Sequence, residues 1–172
     1  AAADLAGSFR SRTTRKLYWA LVKGIPKPRE GRISTYLAKD GPREAERMVI
    51  VRHGEPDAVH AVTHYAVVEQ AGQNVCWLVM RPVTGRTHQL RAHMKAIGHP
   101  ILGDPKYGDE TSAALSGSLK LQLHARRIEL DHPGGGKLIV EAPLSPEMKA
   151  GFENFGFVED ESDFDPFAGM RR

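Results

Sequence analysis

Residues 81–108 read RPVTGRTHQLRAHMKAIGHPILGDPKYG, and this run concentrates the chain's chemistry-bearing side chains. Within it Thr84, Gly85, Arg86, Thr87, His88, Gln89, Leu90 and Arg91 bring hydroxyls, an amide, an imidazole and two guanidinium groups to one turn. The preceding VCWLVMR reads as a strand, Pro82 ends it, and Gly85 lets the chain reverse. Leu90, Met94 and Ile97 then fall at i, i+4 and i+7, with Gly98 and Pro100 as stop signals. A helix starting near Thr87 would aim its free N–H groups and positive dipole end out of the turn. Arg86 at that end, with Arg91 a turn further on, suits an anion, either a phosphate or a carboxylate. A capped helix whose arginines pair with surface acids fits the same pattern.

Strands are expected to hold this segment in place. Arg15–Gly24 is apolar on both faces, as an interior strand is. Ala45–Arg52, Ala58–Glu69, Val75–Arg81, Leu121–Leu130 and Lys137–Ala142 read as further strands, the second and third joined through the Gly72–Asn74 turn. Residues 31–40 are ambiguous and read as a short helix or turn around Ile33, Tyr36 and Leu37. Residues 103–117 read as a loop with one helical turn at Ser112–Leu115. Ser145 opens a short helix. Leu5 and Phe9 share a helical face with no cap before Ala1, so a helix beginning upstream, in a longer polypeptide, is expected. With few crossover helices, the pattern predicts an α+β fold on a mixed, mainly antiparallel sheet. Residues 1–158 form its domain, and 159–172 an acidic tail expected to fray.

A chain of 172 residues can bury a core, and no window resembles a membrane span or a signal peptide. The lone Cys76 excludes disulfide frameworks and cysteine metal clusters; it is expected as a buried, inert thiol in a cytoplasmic protein. The net charge of +3 is unevenly spread: residues 1–30 and 81–127 each carry +5, and residues 141–172 carry −5. Two basic segments facing one cleft would make a footprint for a polyanion, whereas spread apart they are ordinary solvated surface. Metal catalysis is disfavoured, because His88 and His93, five apart, point to different helix faces. Nucleophilic hydrolysis lacks a G-x-S-x-G elbow, and Gly98 to Gly103 continues as Asp-Pro rather than as a phosphate loop.

TGRTHQLRAH followed by GHPILGDPKYG closely resembles the late signature of the RluA-type pseudouridine synthases. Lys16, Tyr18, Ala20, Val22 and Gly24 resemble that family's K-x-Y-x-A-x-V-x-G strand. Residues 61–65 (AVTHY) and 123–125 (LHA) resemble two more of its strands, in order. The resemblance implies the pseudouridine synthase fold, incomplete at the N-terminal side, and isomerisation of uridine to pseudouridine in RNA without a cofactor or metal. It makes Arg91 the partner of a nucleophilic aspartate, which a guanidinium at contact distance keeps ionised. It makes Tyr18 the residue stacked on the target base and Leu90 the apolar support beneath it. Arg86 is assigned to RNA phosphates, and His88 and Gln89 to shaping the site. The family's HRLDxxTSG segment, which bears the nucleophile, has no counterpart in these residues, so this chain alone is expected to be inactive and to need that missing N-terminal part. Asp104, in Gly-Asp-Pro, is expected to bond turn amides rather than to attack. Ribosomal RNA is the favoured target, ahead of transfer RNA. A non-catalytic RNA-binding module is the rival reading, since it too would be basic and would need no aspartate.

Overall fold

In the computed structural model, which describes residues 14–159 and 165–168, one antiparallel sheet of seven strands forms the frame. The strands are β1 (Arg15–Lys23), β2 (Glu30–Asp40), β3 (Arg47–Val51), β4 (Val59–Ala71), β5 (Val75–Pro82), β6 (Leu123–Asp131) and β7 (Lys137–Glu141). Their order is β3-β2-β4-β5-β1-β6-β7. The two strands with uninterrupted apolar runs, β1 and β5, are neighbours near the middle, where both faces are covered. The α+β expectation holds, and every ladder among the described residues is antiparallel.

Three helices complete the fold: α1 (Gln89–Ala96), α2 (Glu110–Ser116) and α3 (Pro146–Phe155). Leu90 and Met94 of α1 pack on Ala20, Val22, Leu78 and Met80 of one sheet face. Met148 and Phe152 of α3 pack on Leu17, Trp19, Leu21 and Trp77 of the other. A smaller cluster of Leu37, Met48, Ala61, Ala92 and Tyr107 closes the β2–β3 end. Where β6 diverges from β1, residues 100–102 take over its pairing, with Lys23 N–H on Pro100 O at 3.0 Å and Leu102 N–H on Leu21 O at 2.9 Å. The motif's Gly-His-Pro-Ile-Leu segment is therefore part of the sheet margin. At the edge beyond β6 every residue of β7 is exposed, including Leu138, Ile139 and Val140, and it pairs only with β6 among the described residues.

Three local readings need correction. Residues 30–40 form an eleven-residue strand rather than a helix or turn, because both backbone edges are taken, by β4 and β3. Residues 110–116 are a full helix rather than a loop with one turn. Asp109 and Ser112 cap it reciprocally, a capping box with serine where glutamate is usual. The helix α1 starts at Gln89, not Thr87, since His88 before it takes the left-handed conformation (φ 51°, ψ 22°). The expected helix over Ala1–Phe9 lies outside the described residues, as do 160–164 and 169–172 of the tail. Of the remaining tail residues, Glu159 pairs with Arg126 at 2.6 Å, and Phe167 is buried in the core.

Candidate active site

The end of β1, the end of β5 and the first turn of α1 enclose a cleft of about 630 Å³. All six residues singled out above, Tyr18, Arg86, His88, Gln89, Leu90 and Arg91, line it. A register shift between Leu17 and Tyr18 in the β1–β6 ladder marks a bulge at the place where Tyr18 meets the cleft. The Tyr18 ring is half-buried, and burial pushes its phenol above the ordinary value, so the hydroxyl stays protonated at neutral pH. Leu90 is buried and belongs to the core cluster under α1 as well as to the cleft.

Gln89 holds the turn together. Its Oε1 accepts from Arg86 N–H at 3.0 Å and from the Thr84 hydroxyl at 2.6 Å. Its Nε2 donates to Val62 O at 2.8 Å and to Thr63 Oγ1 at 3.0 Å. The buried amide is thus satisfied on both sides, and the loop 83–88 is pinned to β4. Thr84 Oγ1 also accepts from Val62 N–H at 3.0 Å. These bonds fix the turn that leads into α1.

The Arg91 guanidinium is gripped from below. Nε donates to Asp104 Oδ2 at 2.8 Å and Nη2 to Asp104 Oδ1 at 2.7 Å, a bidentate pair in which the carboxylate is fully buried and the arginine 15 % exposed. Lys106 N–H and Tyr107 N–H also donate to Oδ1, at 2.9 and 3.0 Å. Burial acts to raise the Asp104 carboxyl, but the bonds from Arg91, Tyr107 and Lys106 outweigh it and hold it below the usual carboxylate range. Asp104 does bond its turn amides, as expected. It is also the acid that Arg91 pairs with, a role not expected from the sequence. The expectation that Arg91 has lost its negative partner is corrected to that extent: Asp104 takes one edge of the guanidinium, and Nη1 has no hydrogen bond among the described residues.

His88 turns to the other side. Tyr107 Oη accepts from Met48 N–H at 2.8 Å and shares a hydrogen bond with His88 Nδ1 at 2.9 Å. Burial first, then the charges of Arg91 and Lys106, lower the His88 pKa and keep the ring neutral. Arg86 is exposed, with Nε on His60 O at 2.9 Å and the rest of its guanidinium open. His93, weighed above as a metal ligand, lies under α1 between two hydroxyls, Thr63 Oγ1 on Nδ1 and Thr35 Oγ1 on Nε2, both at 2.8 Å. Burial lowers its pKa to about 4. Cys76 is fully buried, its thiol pushed up to about 12 by burial.

A pinned turn, an anchored arginine and a half-buried phenol thus line one cleft. Solved structures share this frame. The chain is similar to human RNA pseudouridylate synthase domain containing 1 (TM-score 0.71, 28 % identity, covering 87 % of this chain and 63 % of that one). It is similar also to human RNA pseudouridylate synthase domain containing 4 (TM-score 0.72, 25 % identity, 90 % and 67 %). Residues 1–96 match the RNA pseudouridylate synthase family. The dual-specificity RNA pseudouridine synthase RluA of Salmonella typhi is 44 % identical over 133 residues, 77 % of this chain and 58 % of that protein. Its Escherichia coli K12 counterpart is 40 % identical over 141 residues, 81 % and 62 %. The ribosomal large subunit pseudouridine synthase D of Nitrosomonas europaea is 37 % identical over 153 residues, 86 % and 42 %. The chain belongs to the RNA pseudouridine synthase family, and within it to the RluA type. It spans about three-fifths of the RluA relatives it matches.

Proposed function

We propose that this chain is the C-terminal part of an RNA pseudouridine synthase catalytic domain, acting on uridine in structured RNA. Ribosomal RNA is the favoured target, in line with the name of the Nitrosomonas europaea relative, and transfer RNA the second choice. The lone buried thiol suits a cytoplasmic protein. The observation that carries the reading is that Tyr18 and Arg91, far apart in sequence, line one cleft with Leu90 between them and the core.

Isomerisation breaks the N1–C1′ bond and forms C5–C1′; the C5 proton leaves and N1 gains one, so no redox partner is required. The uridine must first leave its stack to reach the cleft. Leu90 gives it an apolar floor, and the Tyr18 ring a flat surface with a protonated hydroxyl at its rim. Arg91 is locked on one edge by Asp104 and cannot swing away. Its free Nη1 is suited to a second carboxylate, the nucleophile, which we place on a segment outside these 172 residues. Arg86 takes an RNA phosphate, while His88 and Gln89 fix the shape of the turn. The rival reading, a binding module without catalysis, uses the same cation but leaves Nη1 without a purpose.

The test is release of tritium from RNA labelled at uridine C5. The 172-residue chain should release none, and the full gene product should release it in proportion to pseudouridine formed. Arg91→Leu in the full product should abolish release while leaving RNA binding within a few fold. Release by the short chain would show that the nucleophile lies within it. No release by the full product would leave the binding module.

A further inference from the structure

The pair with Asp104 takes one edge of the Arg91 guanidinium, and a second group takes one of its faces. The guanidinium carbon lies over the Tyr107 ring, 5.0 Å from the centroid. That is within the reach of about 6 Å at which a cation is drawn to a π-face. Tyr107 is 1 % exposed, and its ring is packed with Leu37, Met48, Ala61 and Ala92. A ring so enclosed cannot shift to follow the guanidinium. It is tied at both ends: Tyr107 N–H donates to Asp104 Oδ1 at 3.0 Å, and Met48 N–H donates to the hydroxyl at 2.8 Å.

The hydroxyl also reaches a second cleft residue. It shares a hydrogen bond with His88 Nδ1 at 2.9 Å, and the two rings meet edge-on, 5.5 Å apart at 86°. His88 lines the cleft from a left-handed backbone conformation, which is uncommon outside glycine and persists where the surroundings hold it. One buried ring thus touches two residues that line the cleft, Arg91 and His88, without lining it itself. The loop that carries the ring is fastened from outside. Lys106 Nζ donates to Glu46 O at 2.7 Å, just before β3. Gly108 N–H returns to Asp104 O at 3.2 Å, and a Cβ at Gly108 would stand 2.6 Å from that oxygen, so glycine lets the loop close.

An edge-on pair by itself leaves the guanidinium free to tilt about the line joining it to the carboxylate. A fixed ring against one face removes that tilt. We propose that Tyr107 is a positioning residue for the reaction: its ring holds the plane of Arg91, and so sets the direction in which Nη1 meets the nucleophile. The role rests on the function proposed above, because it deepens the part given there to Arg91.

The test is steady-state tritium release by the full gene product substituted at Tyr107. Tyr107→Phe keeps the ring and gives up the hydroxyl with both its hydrogen bonds, whereas Tyr107→Leu gives up the ring face as well. Tyr107→Leu should lower kcat about thirtyfold with KM within about twofold, and Tyr107→Phe should keep kcat within about threefold. A packing role alone would slow both in step with their urea midpoints, since both lose the hydroxyl. In an Arg91→Lys background, which has no plane to hold, Tyr107→Leu should change kcat by less than about threefold. If Tyr107→Leu does not fold, Tyr107→Met, whose unbranched chain fills irregular space, takes its place with the same expectation. Tyr107→Phe as slow as Tyr107→Leu, a Tyr107→Leu enzyme as fast as wild type, or an undiminished loss in the Arg91→Lys background overturns the role of the ring and leaves the cleft reading standing. A full product without tritium release overturns both.

Discussion

Against α3 the sheet packs rings, and against α1 it packs aliphatic side chains together with a hydrogen-bonded polar network. Beneath α3, Trp77 meets Trp19 edge-on at 4.8 Å and Phe152 at 4.8 Å, with Phe157 beyond and Arg126 laid over Trp19 at 4.4 Å. Beneath α1 lie Gln89, His93 and the Arg91–Asp104 pair, each with partners on two sides. Among the described residues, the buried Trp77 Nε1, His64 Nδ1 and Gln122 Oε1 have no partner, and they lie on the α3 side. The difference separates two tasks. The ring-packed face supplies stability and tolerates an imperfectly satisfied atom, whereas the bonded face fixes the directions of the side chains from which the cleft is built.

The largest expected effect falls on the ring-packed face. Trp77→Ala should lower stability by about 3–5 kcal/mol in urea unfolding, and Trp77→Phe, which also removes the unpartnered N–H, by about half as much. Equal losses from the two would mean that the indole N–H matters after all. On the bonded face Asp104→Ala should cost about 3 kcal/mol, because it leaves Arg91 partly buried without its acid. It should also remove tritium release in the full product, whereas Trp77→Phe should retain it. If Asp104→Ala unfolds no more easily than wild type, the pair is a surface contact and the comparison fails.

The smallest effect is a pH dependence. The buried His93 binds its proton with a pKa of about 4, against 6.5 for an unperturbed imidazole. Between those values the unfolded chain takes up more protons, so this contribution is present above about pH 6.5 and fades as pH falls toward 4. The slope approaches about 1.4 kcal/mol per pH unit within that window. His64 and His88, lowered mainly by burial, act with the same sign. Urea midpoints at pH 7.5 and 5 should differ for the wild type and differ less for His93→Gln; an unchanged gap would move the effect to the other two rings.

The central strands and α1 were legible because their periodicity is unbroken: β1 and β5 are apolar at successive positions, and Leu90 and Met94 lie a helical turn apart. The strand β2 was not, since RISTYL alternates weakly and suits a helix as well; pairing on both sides settles it. The helix α2 was hidden by its glycine- and serine-rich surroundings and by the serine in its capping box. At the site, the resemblance named the residues that share the cleft, but not what holds them. That Gln89 would reach Val62 and Thr63, or that Arg91 would be held by Asp104, depends on how the turn lies against β4 and how residues 103–108 fold back. Neither can be read from spacing.

The outermost strand, β7, has practical weight at the bench. Among the described residues nothing pairs with its outer row of amides and carbonyls, and Leu138, Ile139 and Val140 give it a branched, water-averse coat. Such a rim templates the addition of like strands, so concentrated preparations of this polypeptide would grow cloudy by joining sheet to sheet. Lys137, at the start of that strand, is its nearest charged brake, and it is already engaged with Asp131.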